Sequence, residues 1–347
     1  MFKLIKNTFI FCTTFLIVIG IVDVYMKYAG VVRTSPHEYV QGRGIDFRKT
    51  TNMVFFNEGF SIQNFNSNRI KGAEIRQEKD PNTFRIAILG DSYVQASQVF
   101  ERNHFATIVK EQLQKTNPNL NIEILNFGFE GSEIEDIYTT YELKVKPYKS
   151  DLTIILFEKD DLKIAKGDLL NPKLSLINDS LKISLNFDKD HLKHYELSSY
   201  LRTRSTFINM LSNCNNERLA NGILPKLLDK FYLKEKKNNS KNQGNKKALK
   251  ITPTVQKILT SLDSDNVLFV SREKEKLPKE FYNYVSKKNF ISLNPLLQEF
   301  KVNNFDANYW KATKRHGHWN IKAHQYIGEY LAKELIKKRI IQLKNKP

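Results

Sequence analysis

The stretch from Phe84 to Val99 constrains this chain most. Ile86 to Leu89 is a short apolar run rich in β-branched residues, which reads as a buried strand. Gly90 then allows a sharp change of backbone direction, so Ser92 falls just past the strand's carboxyl end. In open α/β sheets that edge is where ligands bind, and a hydroxyl placed there can meet a substrate. Such residues more often serve locally, with Asp91 and Ser92 bonding their own backbone in a turn. The rest of the chain decides between the two.

With 347 residues, 41% of them hydrophobic, the chain can bury a core in one elaborated domain or two modest ones. Phe9 to Val22 is apolar apart from Thr13, Thr14 and Gly20, and it follows Lys3 and Lys6. From Leu4 to Met26 only Lys6 and Asp23 are charged, and this stretch approaches the roughly 20 residues needed to span a bilayer. A cleaved signal peptide is the competing reading; no small-x-small cleavage site precedes Met26, which favours an uncleaved anchor. Lys3 and Lys6 then stay in the cytoplasm and the bulk of the chain lies in the periplasm or outside the cell. Cys12 sits in the anchor and Cys214 far along the folded part, so no internal disulfide is expected.

Lys and Arg outnumber Asp and Glu by 55 to 37, but much of the excess lies in one run, Lys234 to Lys250, mixed with Asn, Ser, Gln and Gly. That composition reads as a solvated loop and not as a nucleic-acid face. Anionic lipid head groups or acidic polysaccharide are better partners for the charge.

Tyr28 to Asn82 shows no sustained period and reads as a stalk and lead-in. His104 to Lys115 has Phe105, Ile108, Val109 and Leu113 at helical spacing. A strand from Ile122 to Phe127 ends in Gly128-Phe129-Glu130-Gly131-Ser132, and a helical stretch runs from Glu133 to Val145. The third strand, Leu152 to Phe157, ends in Glu158-Lys159-Asp160-Asp161. This alternation argues for parallel pairing with right-handed crossovers. Leu162 to Thr260 is irregular, with a hairpin pattern at Leu174 to Phe187 and a helix pair at Tyr195 to Leu211. Strands resume at Asn266 to Ser271 and Phe290 to Leu293, and a long amphipathic helix starts at Ile321. The organisation expected is an anchor over 1–27, a lead-in over 28–82, and an α/β domain over 83–340 with an insertion at about 163–260. No Cys/His cluster or Gly-rich phosphate loop is found, so neither metal nor cofactor is indicated.

Gly90-Asp91-Ser92 behind a buried strand resembles the first block of the SGNH, or GDSL-like, hydrolases, and the lead-in Asn66 to Gly72 looks like that of membrane-anchored bacterial members. His316-Gly317-His318-Trp319-Asn320 resembles the family's last block, with His318 at the place of the catalytic histidine. The resemblance implies Ser92 as nucleophile and His318 as base, and it implies an oxyanion held by the N–H groups of Ser92 and Gly131, with Gly128 as second choice. His316, His318 and the nearby His324 could instead be ordinary polar residues at a helix start.

Two blocks depart from the pattern. Asp160 stands where the family has an asparagine donor, and an ionised carboxylate has no proton to offer. In the last block His316 and Arg315 stand where an aspartate would orient the base. Asp306 is the nearest acid in sequence, and Asp91 and His316 are the other polar residues in supporting positions.

The fold implied is a three-layer α/β sandwich with a parallel, flavodoxin-like sheet of about five strands, preceded by one transmembrane helix. The function implied is a serine ester hydrolase or O-acyltransferase acting on acyl, chiefly acetyl, esters of cell-surface or secreted polysaccharide. The alternative is a catalytically weak or inactive relative that binds glycan or scaffolds an envelope complex.

Overall fold

Helix α1 (Phe2–Ala29) holds its apolar side chains in the open. Over Lys3–Met26 its mean hydropathy is 2.3 and none of it is buried, so it is long and apolar enough to cross a membrane. In the computed structural model, residues 2–29, 36–164, 170–185, 189–210, 251–273, 277–338 and 340 are described. They form two compact units, one from Met1–Pro36 with Lys189–Lys247 and one from His37–Asp188 with Ala248–Pro347. Cys214 and the basic run Lys234 to Lys250 lie outside the described residues. In the first unit Asp23 accepts hydrogen bonds from Ser205 Oγ at 2.8 Å and Phe207 N–H at 2.7 Å, so the one acid of the apolar stretch is partnered.

The second unit begins with two antiparallel hairpins, β1 (His37–Val40) with β2 (Gly44–Phe47) and β3 (Thr51–Phe55) with β4 (Ser61–Phe65). The segment read as a stalk is thus largely built into the same unit as the sheet. In β4, Ser61, Gln63 and Phe65 alternate into the interior. Ser61 Oγ donates to Ser97 O and Gln63 Nε2 to Val99 O, both at 2.5 Å, which fastens the hairpin to the segment after Ser92.

Five parallel strands form the sheet: β5 (Thr83–Leu89), β6 (Asn121–Asn126), β7 (Leu152–Phe157), β10 (Val267–Ser271) and β11 (Phe290–Ser292). Their spatial order is β6-β5-β7-β10-β11, the flavodoxin-like order expected. Every residue of β5, β7 and β10 is buried, as strands covered on both faces require. Phe84, Ile86 and Ile88 point to one apolar layer, and Ala87 and Leu89 to the other.

The first layer is completed by α3 (Phe105–Thr116) and by a long carboxy-terminal helix, the second by α4 (Ile134–Thr140). Beyond Thr140 the helix widens into a π turn over Tyr141–Val145. The hairpin β8 (Lys173–Ile177) and β9 (Ser180–Ser184) lies where alternation placed it, while helix α5 (Lys189–Arg204) belongs to the first unit.

Regular structure resumes earlier than the sequence suggested. Helix α6 (Pro253–Leu262) is capped by Thr252 and buries Val255, Ile258, Leu259 and Leu262 in the second layer. Helices α7 (Asn294–Val302) and α8 (Ile321–Lys337) close the first. At Gly328 a Cβ would lie 2.7 Å from the Cβ of Ile108, so glycine there lets α8 approach α3.

One charge is buried in the sheet. Arg85, 1% exposed, donates to Glu123 Oε2 at 2.8 Å and to the carbonyls of Gln77, Tyr148 and Arg76 at 2.8, 2.9 and 3.0 Å. It ties the lead-in to β5, and its removal would leave those acceptors without their donor. Arg85→Met is expected to cost about 3 kcal/mol or more of stability, read as a lowered urea midpoint for the detergent-solubilised chain.

Candidate active site

The turn after β5 is shaped by what its backbone excludes. At Gly90 (φ +156°) a Cβ would meet Leu156 O and Val94 Cγ2, each at 2.6 Å. Asp91 then caps the one-turn helix α2 (Ser92–Gln95) by accepting from Tyr93 N–H at 2.9 Å. Ala96 ends the turn in the left-handed region, with φ 45° and its N–H on Ser92 O at 2.8 Å.

The carbonyls at the end of this turn find side-chain donors. Val94 O accepts from Asn126 Nδ2 at 2.9 Å and from His104 Nε2 at 2.9 Å. Lys71 Nζ donates to Gln95 O at 2.8 Å and to Ala96 O at 3.3 Å. Burial lowers the Lys71 ammonium to about 7 despite the nearby carboxylate of Glu101. His104 Nδ1 accepts from Ala106 N–H, so Nε2 carries the proton, and burial keeps this ring neutral well below its ordinary range. His324 is wholly buried, accepts from Phe105 N–H at 3.2 Å, and is lowered to about 3 by burial.

Ser92 Oγ lies 2.8 Å from His318 Nε2. The loop that carries His318 is set by Trp310 Nε1 donating to His318 O at 3.0 Å and by Asn320, which caps α8 through Ala323 N–H. On its other side His318 meets a residue that the sequence reading left in the stalk. Glu58, at the β3–β4 turn, places Oε1 and Oε2 at 3.0 and 3.1 Å from Nδ1 and accepts the His318 backbone N–H at 2.8 Å.

Burial pushes the Glu58 carboxyl upward, but the hydrogen bonds and charge of His318 outweigh it and leave it below the ordinary value. An ionised Glu58 can only accept, so the proton sits on Nδ1 and Nε2 is free to accept from the Ser92 hydroxyl. Two glycines make the approach possible. A Cβ at Gly317 would lie 2.1 Å from Glu58 Cδ, and one at Gly59 would lie 2.4 Å from the Trp310 ring.

The remaining expected residues are placed as follows. Asp306 accepts from His316 Nε2 at 2.8 Å, and both side chains are exposed, so Asp306 is not the acid at His318. Asp160 is also turned outward: its carboxylate, 69% exposed, pairs with Lys163 at 2.5 Å. Gly131 has φ +76° and open space where a Cβ would be. Its loop is pinned to the Ser92 turn by Phe129 N–H on Gly90 O at 3.0 Å and Glu130 N–H on Gln95 Oε1 at 2.6 Å. Gly128 packs against the turn itself, where a Cβ would lie 2.2 Å from Gln95 N.

Asp91 has a second partner in Arg272, just past β10. Its guanidinium reaches Asp91 at 2.9 Å, Glu158 at 2.5 Å and Asp161 at 3.8 Å, and lies 4.1 Å from the Tyr93 ring centre. Asp161 also accepts Glu158 N–H at 2.7 Å. Glu58 and Arg272 were missed in the sequence. For Glu58 the signal marked only the hairpin and not its partner: Thr51–Phe55 and Ser61–Phe65 are strand-like segments about a Gly-containing turn.

No protein-family model matches this chain, and no curated protein matches it. Among solved structures it is similar to a two-domain esterase (CEX) active on acetylated mannans, at 16% identity over 76% of this chain and 51% of that one, with a TM-score of 0.37. This chain thus spans about half the length of that esterase. It is also similar to the acetyl xylan esterase AlAXEase (12% identity, 73% of this chain, 100% of that one, TM-score 0.34). A third similar structure is TesA (9% identity, 73% of this chain, 99% of that one, TM-score 0.35).

The acid cluster yields a pH dependence. Burial raises Asp161 from 3.8 to about 7, against the lowering effects of Glu158 N–H and Arg272. The folded chain then holds a proton that the unfolded chain releases, so this residue costs stability progressively as pH rises from about 4 to about 7. Asp161→Asn keeps an acceptor for Glu158 N–H and should remove that slope. Melting temperatures of variant and wild type should differ more in the variant's favour at pH 8 than at pH 5.

Proposed function

We propose that this chain, whose fold is that of the SGNH hydrolases, is a serine esterase or O-acyltransferase working on acyl, chiefly acetyl, esters of a cell-surface or secreted polysaccharide. The observation that carries this reading is the hydrogen-bonded file Ser92–His318–Glu58 at the carboxyl edge of the sheet. Such a file needs no aspartate in the last block, because the acid arrives from the β3–β4 turn.

Ser92 Oγ attacks the ester carbonyl while His318 Nε2 takes its proton. Glu58 fixes the tautomer and stabilises the imidazolium. The tetrahedral oxyanion is held by the N–H groups of Ser92 and Gly131, and Asp160 takes no part. Collapse breaks the bond to the sugar oxygen, which receives the proton from His318 and departs. Water then attacks the acyl-serine in a hydrolase, and an acceptor hydroxyl does so in a transferase. In this reading α1 is an uncleaved anchor that holds the reaction outside the cytoplasmic membrane, with Lys3 and Lys6 inside.

A serine-directed fluorophosphonate should label the wild type and not Ser92→Ala; absence of labelling in the wild type would sink the reading. Glu58→Gln should lower kcat for an aryl acetate by up to about 10⁴-fold with little change in KM, since the amide no longer favours the required tautomer. Gly317→Ala should produce a comparable loss by displacing the Glu58 carboxylate. Asp160→Asn should leave the rate unchanged, and a rise or fall on the order of 10²-fold would restore this residue to the oxyanion site.

A further inference from the structure

Beside the nucleophile turn a groove opens that the ester chemistry does not use. We propose that it binds an anionic sugar chain, so that the polymer presented to Ser92 is recognised by carboxylate or phosphate groups next to its acylated residue. The inference rests on the esterase reading for its substrate but on separate residues for its evidence.

The wider part of the groove, about 280 Å³, lies among the β1–β2 hairpin, the segment Ser67–Ile70 that follows β4, the end of β6 and the turn after α4. A narrower part of about 60 Å³ continues from it, and Arg43, Phe129, Thr140 and Lys144 line both. The narrow part ends at Gly131 and Ser132. It therefore reaches the amide assigned to the oxyanion, on a loop whose Phe129 N–H is bonded to Gly90 O. A ligand lying along the groove meets the loop that is hydrogen-bonded to the Ser92 turn.

The wider part carries a basic excess, while in the narrow part Glu130 and Asp136 stand beside Arg43 and Lys144. Four cations face the wider part, Arg43, Lys49, Arg69 and Lys144, against one carboxylate, Asp46. Asp46 is neutralised by Lys144 at 2.9 Å, and Arg69 is engaged by Glu38 and by Phe47 O. Arg43 and Lys49 are exposed and make no ion pair with the described residues. Two uncommitted cations at the mouth of a small cavity fit an anion better than a neutral sugar.

The other walls fit a carbohydrate. Asn68, Gln77 and Thr140 offer amide and hydroxyl groups, and Phe129, partly buried between Phe47 and His37, offers an apolar surface. The volume is near the lower end of the roughly 300–1,000 Å³ of small-molecule sites, which suits a short segment of a chain and not a folded partner.

Binding is measured by calorimetry on the full-length Ser92→Ala chain in detergent, with short oligogalacturonate, phosphorylated mannan fragments and neutral mannan fragments as probes. At least one anionic probe should bind, at least about tenfold more tightly than the neutral one, and weaken as salt is raised. Which anionic probe binds tells carboxylate from phosphate. Arg43→Ala with Lys49→Ala should weaken that binding about tenfold or more. In the Ser92 background the same pair should hydrolyse an aryl acetate at the wild-type rate but show a raised KM for an acetylated form of the polymer. The proposal is overturned if neither anionic probe binds, if the neutral probe binds equally, or if the double variant binds as the parent does. Loss of aryl acetate hydrolysis in the wild type would instead overturn the esterase reading and leave the binding result standing.

Discussion

The site depends on a buried carboxylate meeting the far side of an imidazole. Glu58 is 8% exposed, and its burial is tolerated because His318 supplies both a ring N–H and a backbone N–H to it. Much of the surrounding construction serves that contact. Gly317 clears the space, Gly59 lets the turn pass under Trp310, and Trp310 in turn holds the carbonyl of His318. The two docking bonds from Ser61 and Gln63 bring the hairpin that carries Glu58 to the same loop that follows Ser92.

A second electrostatic assembly steadies the Ser92 turn through its cap, Asp91. Arg272 faces Asp91, Glu158 and Asp161, three acids from two strand ends, and stacks near Tyr93, whose ring also meets His318 and Trp319 edge-on. Glu158 and Asp161 at the end of the third strand are therefore engaged with Arg272, which also holds Asp91, the cap of the Ser92 turn. Asp160, the one acid of that group turned to solvent, is left to Lys163.

The sheet was legible because parallel strands buried on both faces leave apolar runs that few other structures need, and β5, β7 and β10 fall where those runs lie. Ser92 and His318 were legible because each sits at a glycine-marked turn next to such an element. Glu58 was not, since short hairpins with one buried face carry a weak period and nothing in a local window records a partner 260 residues away. Asp306 was attractive only by nearness in sequence; the chain turns at β12 (Tyr309–Trp310) and β13 (Arg315–His316), and this hairpin pairs Asp306 with His316 instead. Helix α6 was blurred by the lysine-rich run that precedes it.

The wide spacing of the three residues has a consequence for how the protein is made. Glu58 and Ser92 leave the ribosome long before His318, which lies 226 residues beyond the serine. Until the carboxy-terminal helix docks on the sheet, Ser92 and Glu58 both lack their hydrogen bond to the His318 ring. A nascent chain therefore completes this hydrogen-bonded file only when some of the longest-range contacts of the fold have closed.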